Sequence, residues 1–294
     1  TILELGFNEI CVNWKNYNKD FADQLRTNDV KVFAEIGLFV GKEWWEKYPD
    51  SRPVDRQGNL MPPIHWYHGV CPNHPGVRRD QLANIDRIIH EFDVDGIYLD
   101  FVRYPCHWEE VRSAEITEYC FCDHCREKFK TEVGGTMAGE QWIAWKCKQI
   151  TNFAKIVHDR IHHSQRAIKL AIFGVPWKAG DFGSGIRRII GQDFTELSEV
   201  IDTFCMMAYH QITDNPVEWI NEVVSEVAEQ MNRNVFPAVQ SVPLPKHVTA
   251  ETFAASLKIS KHSPSAGVMV FHLEDMLQDQ KKVQQWKALM VPES

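Results

Sequence analysis

The sequence has no cluster of basic residues, no long apolar run and no glycine-rich phosphate loop, and each absence removes a class of function. Lys and Arg number 32 against 40 Asp and Glu, a net charge of −8 with no dense basic stretch. Nucleic acid and anionic membrane surfaces are therefore poor partners. No apolar run reaches the roughly 18 residues that a membrane helix needs, so membrane insertion is not expected. No Gly-x-Gly-x-x-Gly follows a strand-like segment, which argues against a dinucleotide site and a doubly wound open sheet; no organic cofactor is expected. Repeats, low-complexity tracts and linkers are also missing, and a single domain over residues 1–294 is the simplest organisation. The chain lacks an initiating Met. It opens Thr1-Ile2-Leu3-Glu4-Leu5-Gly6, which reads as the last turn of a helix stopped by glycine. Location and oligomeric state are left open.

What is present is an alternation of short apolar strands and longer amphipathic helices, in a chain 44% hydrophobic and 24% charged. The strand candidates are 9–13, 30–37, 96–102, 168–173, 203–209, 235–240 and 267–272, rich in Val, Ile, Phe and Tyr. Such unalternating runs suit strands buried on both faces. Helical spacing marks 77–91, 139–163, 216–231, 249–261 and 280–290, and more weakly 186–199. Strand–helix alternation predicts a parallel sheet with right-handed crossovers. Seven strands are one short of a (β/α)8 TIM barrel; the first strand and most of the first helix would precede Thr1. Two long insertions, at about 39–76 and 105–135, leave the carboxyl ends of strands, where such barrels build their sites.

Within Asp95-Gly-Ile-Tyr-Leu-Asp100-Phe-Val-Arg103-Tyr-Pro105, alternation predicts Tyr98, Asp100 and Val102 on the inner face and Ile97, Leu99 and Phe101 on the outer one. A carboxylate facing the barrel interior costs free energy unless it is paired, and Arg103 is near enough in sequence to pair with it. Asp100 is either a structural partner of Arg103 or a catalytic or substrate-binding group.

That string resembles the signature of glycoside-hydrolase-like barrel families. It is also similar to the family 18 chitinase motif, in which three alternating acids end in the catalytic Glu. On that alignment Tyr98 replaces the first acid, Asp100 matches the second and Val102 stands at the Glu position. Met207-Ala-Tyr209 and Gly267-Val-Met-Val-Phe271 resemble chitinase strands as well. The resemblance implies the barrel but not the chitinase acid.

Cys120-Phe-Cys122-Asp-His124-Cys125 resembles the Cys-x-Cys-x-x-Cys loop of family 42 β-galactosidases, and Cys71-Pro72-Asn73-His74-Pro75 resembles the context of their upstream cysteine. The resemblance implies a closed four-thiolate structural zinc site at Cys71, Cys120, Cys122 and Cys125. Free or partly disulfide-bonded thiols are the alternative, with His124 and Cys106 as substitute ligands. Cys11, Cys147 and Cys205 read as ordinary core thiols. The galactosidase acid aligns near Val102 and its nucleophile near Gln240, so neither carboxylate of that pair is carried over.

Glycoside hydrolysis uses two carboxyl groups across the scissile bond. In the α-amylase and α-galactosidase groups an Asp on the equivalent strand is the nucleophile, which suggests Asp100 as nucleophile or base. Candidate partners are Glu35 near its strand end, Asp181 in a Gly-rich loop and Glu274 after the last strand. Each has a plainer reading: a barrel-capping group, a turn residue and a helix N-terminal charge. Asn13, Trp14, Arg103, Trp177, Tyr209, His210, Gln240 and His272 converge on the same face as candidate substrate contacts, with Trp66 and Trp108 as further exposed aromatics suited to sugar rings. The expected activity is hydrolysis of an oligo- or polysaccharide. A non-catalytic carbohydrate-binding barrel and a metal-dependent amide hydrolase using Asp100, His210 and His272 are the alternatives.

Overall fold

The computed structural model describes residues 2–113, 115–231, 233–243, 246–262 and 264–291; Thr1 of the predicted terminal turn lies outside them. Seven parallel strands form one sheet in sequence order: β1 Glu9–Asn13, β2 Lys31–Gly37, β3 Gly96–Asp100, β4 Lys169–Gly174, β5 Thr203–Met206, β6 Asn234–Gln240 and β7 Met269–Phe271. Among the described residues no ladder joins β7 to β1, so the sheet is a curled, open barrel lacking one strand. All seven predicted strands are present.

The outer faces of the strands carry Ile36, Ile97, Leu99, Leu170 and Ile172, fully or almost fully buried under the helices. The main covering helices are Pro75–Glu91, Gly139–His163, Trp219–Gln230, Ala250–Ser260 and Gln280–Met290. The first begins where His74 Nδ1 accepts the Val77 N–H and Pro75 sits at the first helical position, a sequence-legible start. At the amino end of β3, Gly96 lets the Phe33 ring of β2 lie flat on the ladder; a Cβ there would stand 2.0 Å from the ring. Leu3–Leu5 form a 3-10 turn ended by left-handed Gly6, as the opening residues suggested.

Three expectations are corrected. The predicted helix 186–199 divides into a π-helical turn, Ile186–Ile190, and a short helix, Phe194–Leu197. Gly191 adopts φ +72° and Asp193 caps the second piece, so the helical ladder cannot run through. The helix Lys19–Arg26, capped by the Asn18 side chain, was not expected; it is eight residues long, too short for a clear periodic signal. The strand predicted over 96–102 stops at Asp100, because Phe101 turns into the left-handed region at φ 51°.

The second insertion carries a small core of its own. Phe121 and Phe129 pack on Trp142, and Trp142 stacks on Trp145 with centroids 4.9 Å apart. Such pairs add roughly 0.5–1.5 kcal/mol each beyond burial, and they fasten the loop to the helix Gly139–His163.

Candidate active site

Because β3 ends at Asp100, its carboxylate stands at the rim of the sheet interior. Oδ1 accepts the Phe101 N–H at 2.7 Å, and Arg103 Nη1 lies 3.6 Å from the same oxygen. Burial pushes the carboxyl above the usual Asp range, and the Arg103 charge opposes that shift. Phe101 was expected on the outer face. Its left-handed backbone instead turns the ring toward the cavity, where the Arg103 guanidinium lies 4.3 Å from its centroid. Val102, expected to point inward, is fully buried outside the cavity lining, and its carbonyl accepts from Gln192 Nε2. Arg103 is 2% exposed, and its Nε and Nη1 have no hydrogen-bond partner among the described residues.

Asp100 opens onto a cavity of about 2590 Å³ that fills the open barrel and its carboxyl-end mouth. Glu35 lines it from β2. In the ladder Glu35 pairs with Tyr98 and Gly37 with Asp100, so the two acids are diagonal neighbours on the inner face. Glu35 Oε2 accepts from Asn13 Nδ2 at 2.6 Å. Burial, together with the Asp100 charge, pushes the Glu35 carboxyl up to about 7.

A third acid comes from the insertion after β3. Glu109 sits on a 3-10 turn, Trp108–Glu110, and lines the same cavity. Burial raises it to about 7 despite the opposing charge of Arg103, and the nearby Asp100 adds to the rise. Sequence reasoning missed it. The residue lies nine positions past the strand end in a loop without periodicity, and only the general rule that such loops shape barrel sites pointed toward it.

The predicted residues divide in two. Asn13, Trp14, Glu35, Asp100, Arg103, Tyr209, His272 and Glu274 line the cavity. Tyr209 is stacked between Trp108 and Phe271, at 5.9 and 5.0 Å; His272 Nδ1 lies 3.1 Å from Asp275 Oδ2. Asp181, Trp177, His210 and Gln240 are not among the lining residues. Asp181 accepts the Lys178 N–H and closes its own turn. Trp177 is buried against Phe182. His210 is 6% exposed, with Nδ1 unpartnered among the described residues, and burial lowers its pKa. Gln240 is covered by the chain that follows β6, its Nε2 3.5 Å from the carbonyls of Val242 and Lys246. Trp108, expected to be exposed, is fully buried, whereas Trp66 is 60% exposed at the mouth.

The four cysteines of the zinc-like pattern meet. Cys71, Cys120, Cys122 and Cys125 are buried, and their Sγ atoms all lie within 4.8 Å of one another. Cys71 Sγ is 3.4 Å from Cys122 Sγ and 3.5 Å from Cys125 Sγ, and all four are free thiols. A tetrahedral site with Zn–S near 2.3 Å places its sulfurs about 3.8 Å apart, so the residues fit a metal ion. Burial raises the Cys71 and Cys125 thiols, whereas hydrogen bonds from its three neighbours lower Cys122. Cys106 is outside the group. His124 belongs to a neighbouring cluster with Asp50 and His74. There His74 Nδ1 accepts the Val77 N–H, so Nε2 carries the proton and faces Asp50 Oδ1 at 3.2 Å. That tautomer makes the cluster a hydrogen-bond network rather than a ligand set.

Residues 6–244 match the family model described as "Putative glycosyl hydrolase domain". The chain belongs to this family. A curated relative, the β-galactosidase LacZ of Heyndrickxia coagulans, is 24% identical over 171 residues, 57% of this chain and 23% of that protein; the match spans less than a quarter of the relative. The glycoside hydrolase domain of PgaB (BpsB) from Bordetella bronchiseptica superposes with a TM-score of 0.70 at 14% identity, covering 95% of this chain and 81% of that one. The α-L-fucosidase isoenzyme 2 of Paenibacillus thiaminolyticus gives a TM-score of 0.64 at 12% identity, covering 97% and 43%. These structural likenesses establish the TIM-barrel-like fold. Among the described residues no helix is long and apolar enough to cross a membrane.

Proposed function

We propose that this chain hydrolyses glycosidic bonds in an oligo- or polysaccharide, with Asp100 as nucleophile or base. One observation carries the reading: Glu35, Asp100 and Glu109 line a single cavity, and two of the three hold their protons up to about pH 7. Glycosidic cleavage needs one carboxyl that gives a proton and one that attacks or activates water. Burial raises all three, to about 7 at Glu35 and Glu109, and Arg103 opposes the rise at Asp100 and Glu109. Environments that separate neighbouring acids in this way assign acid and base roles. Trp14 and exposed Trp66 at the cavity offer ring faces for sugars.

The amide-hydrolase alternative loses support, because His210 lies outside the cavity lining and Asp100 belongs to neither metal-like cluster among the described residues. The four cysteines are read as a closed structural zinc site that pins the loop around Cys71 to the loop around Cys120. Zinc there would supply cross-linking energy and no open coordination position for substrate.

The test is a screen on defined oligosaccharides and polysaccharides with wild type and Asp100→Asn. The expected result is cleavage by the wild type and a loss of at least about 100-fold in the variant. Undiminished cleavage in Asp100→Asn sinks the assignment. Binding without cleavage in both proteins favours a carbohydrate-binding barrel.

A further inference from the structure

Glycoside cleavage at Asp100 requires a proton on the departing oxygen, and two neighbouring acids could hold it. We propose that Glu109, on the loop after β3, is the proton donor to the leaving group, and that Glu35 instead binds the sugar held in the barrel. This rests on the hydrolase reading given above.

Three observations separate the two acids. The first is level. Glu35 pairs with Tyr98, two residues below the Gly37–Asp100 rung; at roughly 3.3 Å per residue its backbone lies about 7 Å deeper in the barrel. Glu109 comes from the loop that leaves the carboxyl-end rim. A leaving group departs through the mouth, on the Glu109 side.

The second is engagement. Glu35 Oε2 is fastened to Asn13 on β1. Among the described residues no other side chain hydrogen-bonds the Glu109 carboxylate, which accepts from its own backbone N–H; His107 Nε2 stands 3.7 Å from its Oε2. A group that must give and regain a proton on an incoming oxygen needs that freedom.

The third is the platform beside it. Trp66, the exposed ring at the mouth, packs edge-on to His107 at 5.6 Å and to Phe101 at 6.1 Å. It offers a stacking face for a sugar on the side where Glu109 stands.

The charged groups facing Glu109 are Asp100 at the end of β3, Arg103 just beyond it and Glu110 on its own turn; His107 also faces it, and burial lowers its pKa and favours the neutral ring. Tyr67, Cys106 and Tyr209 face it from the packed elements and stay neutral, because burial raises all three. Burial and the Asp100 charge hold the Glu109 proton up to about pH 7, and Arg103 limits the rise.

In the step, the Glu109 O–H proton passes to the glycosidic oxygen as the bond from that oxygen to the anomeric carbon breaks. The leaving sugar departs as an alcohol. Asp100 either forms the new bond to the anomeric carbon or takes a proton from the water that forms it. In the first case Glu109, now a carboxylate, takes a proton from the water that later cleaves the ester, which restores the starting enzyme; in the second, Asp100 ends protonated and Glu109 ionised, and one proton exchanged through solvent from Asp100 to Glu109 restores it.

The experiment compares Glu109→Gln, Glu35→Gln and Asp100→Asn on paired methyl and 2,4-dinitrophenyl glycosides of galactose, glucosamine, galactosamine and fucose. Dinitrophenolate leaves without a proton. Glu109→Gln is expected to lose about 100- to 1,000-fold in kcat/KM on the methyl glycoside that the wild type cleaves, to stay within about tenfold on the dinitrophenyl partner, and to lose the alkaline limb near pH 7. Equal losses on both substrates in a variant that melts like the wild type would overturn the proposal. So would retention of the alkaline limb in Glu109→Gln together with its loss in Glu35→Gln. In either case an inactive Asp100→Asn leaves the hydrolase reading standing; an active one removes both.

Discussion

Glu35 and Asp100 face each other diagonally across the β2–β3 ladder, Glu35 level with Tyr98 and Asp100 level with Gly37. Same-face diagonal neighbours in a sheet sit roughly 7–8 Å apart, close enough that ionising one disfavours ionising the other. Buried aromatic rings pack beside them on the same levels: Tyr98 stacks on Phe173 with centroids 4.7 Å apart. Burial and like charge together therefore keep a proton on Glu35 into the neutral range.

That proton links stability to pH. The Glu35 pKa is 4.5 in its ordinary state and about 7 in the folded protein. Below pH 4.5 both states are protonated and the group contributes nothing. Between 4.5 and 7 the unfolded chain ionises first, binds fewer protons and gains stability relative to the fold. At about 1.4 kcal/mol per unit the loss approaches 3 kcal/mol by pH 7 and is constant above it. Glu35→Gln removes this loss, so its unfolding free energy should gain on the wild type as pH rises from 5 to 8. Urea titrations at the two pH values check this, and a pH-independent difference would contradict it.

Arg103 should act both on the ionisation of Asp100 and on the fold. Its guanidinium is buried, with two nitrogens unpartnered among the described residues, and lies 3.6 Å from the carboxylate. Arg103→Met leaves the buried Asp100 carboxyl without its charge partner, and removing one member of a buried pair is destabilising. Asp100 then loses the one charge opposing its raised pKa. The acidic limb of the pH–activity profile should move up by about one unit or more, with the melting temperature lowered, most so at pH values where Asp100 is ionised. A fixed limb would show that the pair is not coupled.

The cysteine cluster is predicted to carry one zinc ion per chain after purification without chelators. Its loss should loosen the site indirectly. Asn73 Nδ2 donates both to Cys125 Sγ and to the Tyr104 hydroxyl, at 3.2 and 2.8 Å, and Tyr104 follows Arg103 directly. Cys125→Ala is expected to abolish bound zinc and lower the melting temperature, with the second insertion becoming protease-sensitive first. Metal analysis and limited proteolysis measure both; a metal-free wild type of equal stability would refute the assignment.

The strands were legible because parallel strands buried on both faces leave continuous apolar runs, and Asp100 stood out as a charge closing one of them. The cysteines were legible through their spacing. What stayed hidden depends on backbone turns that no periodicity records. The left-handed Phe101 ends the alternation, bringing its own ring into the cavity and leaving Val102 outside it. Glu109 is carried by a single 3-10 turn. Gln240 and His210 looked like site residues because they stand at predicted strand ends, but the chain beyond β6 covers Gln240 and His210 is buried away from the cavity.

Two tryptophans that the sequence placed together as exposed ring faces should now behave oppositely. Trp66 is 60% exposed at the cavity mouth, whereas Trp108 is fully buried and stacked on Tyr209. Trp66→Ala removes little buried surface, so its stability should stay within about 0.5 kcal/mol of the wild type. The lost stacking face, worth roughly 1 kcal/mol for an aromatic contact, should raise KM for oligosaccharides about fivefold and leave kcat almost unchanged. Trp108→Ala opens a cavity in the core of the loop and should destabilise by about 3–5 kcal/mol. It also frees the turn that carries Glu109, so kcat should fall in the protein that remains folded. Thermal unfolding with oligosaccharide kinetics on the two variants separates the roles. A Trp66 variant with lowered kcat and unchanged KM would move that ring from substrate binding into the support of the catalytic loop.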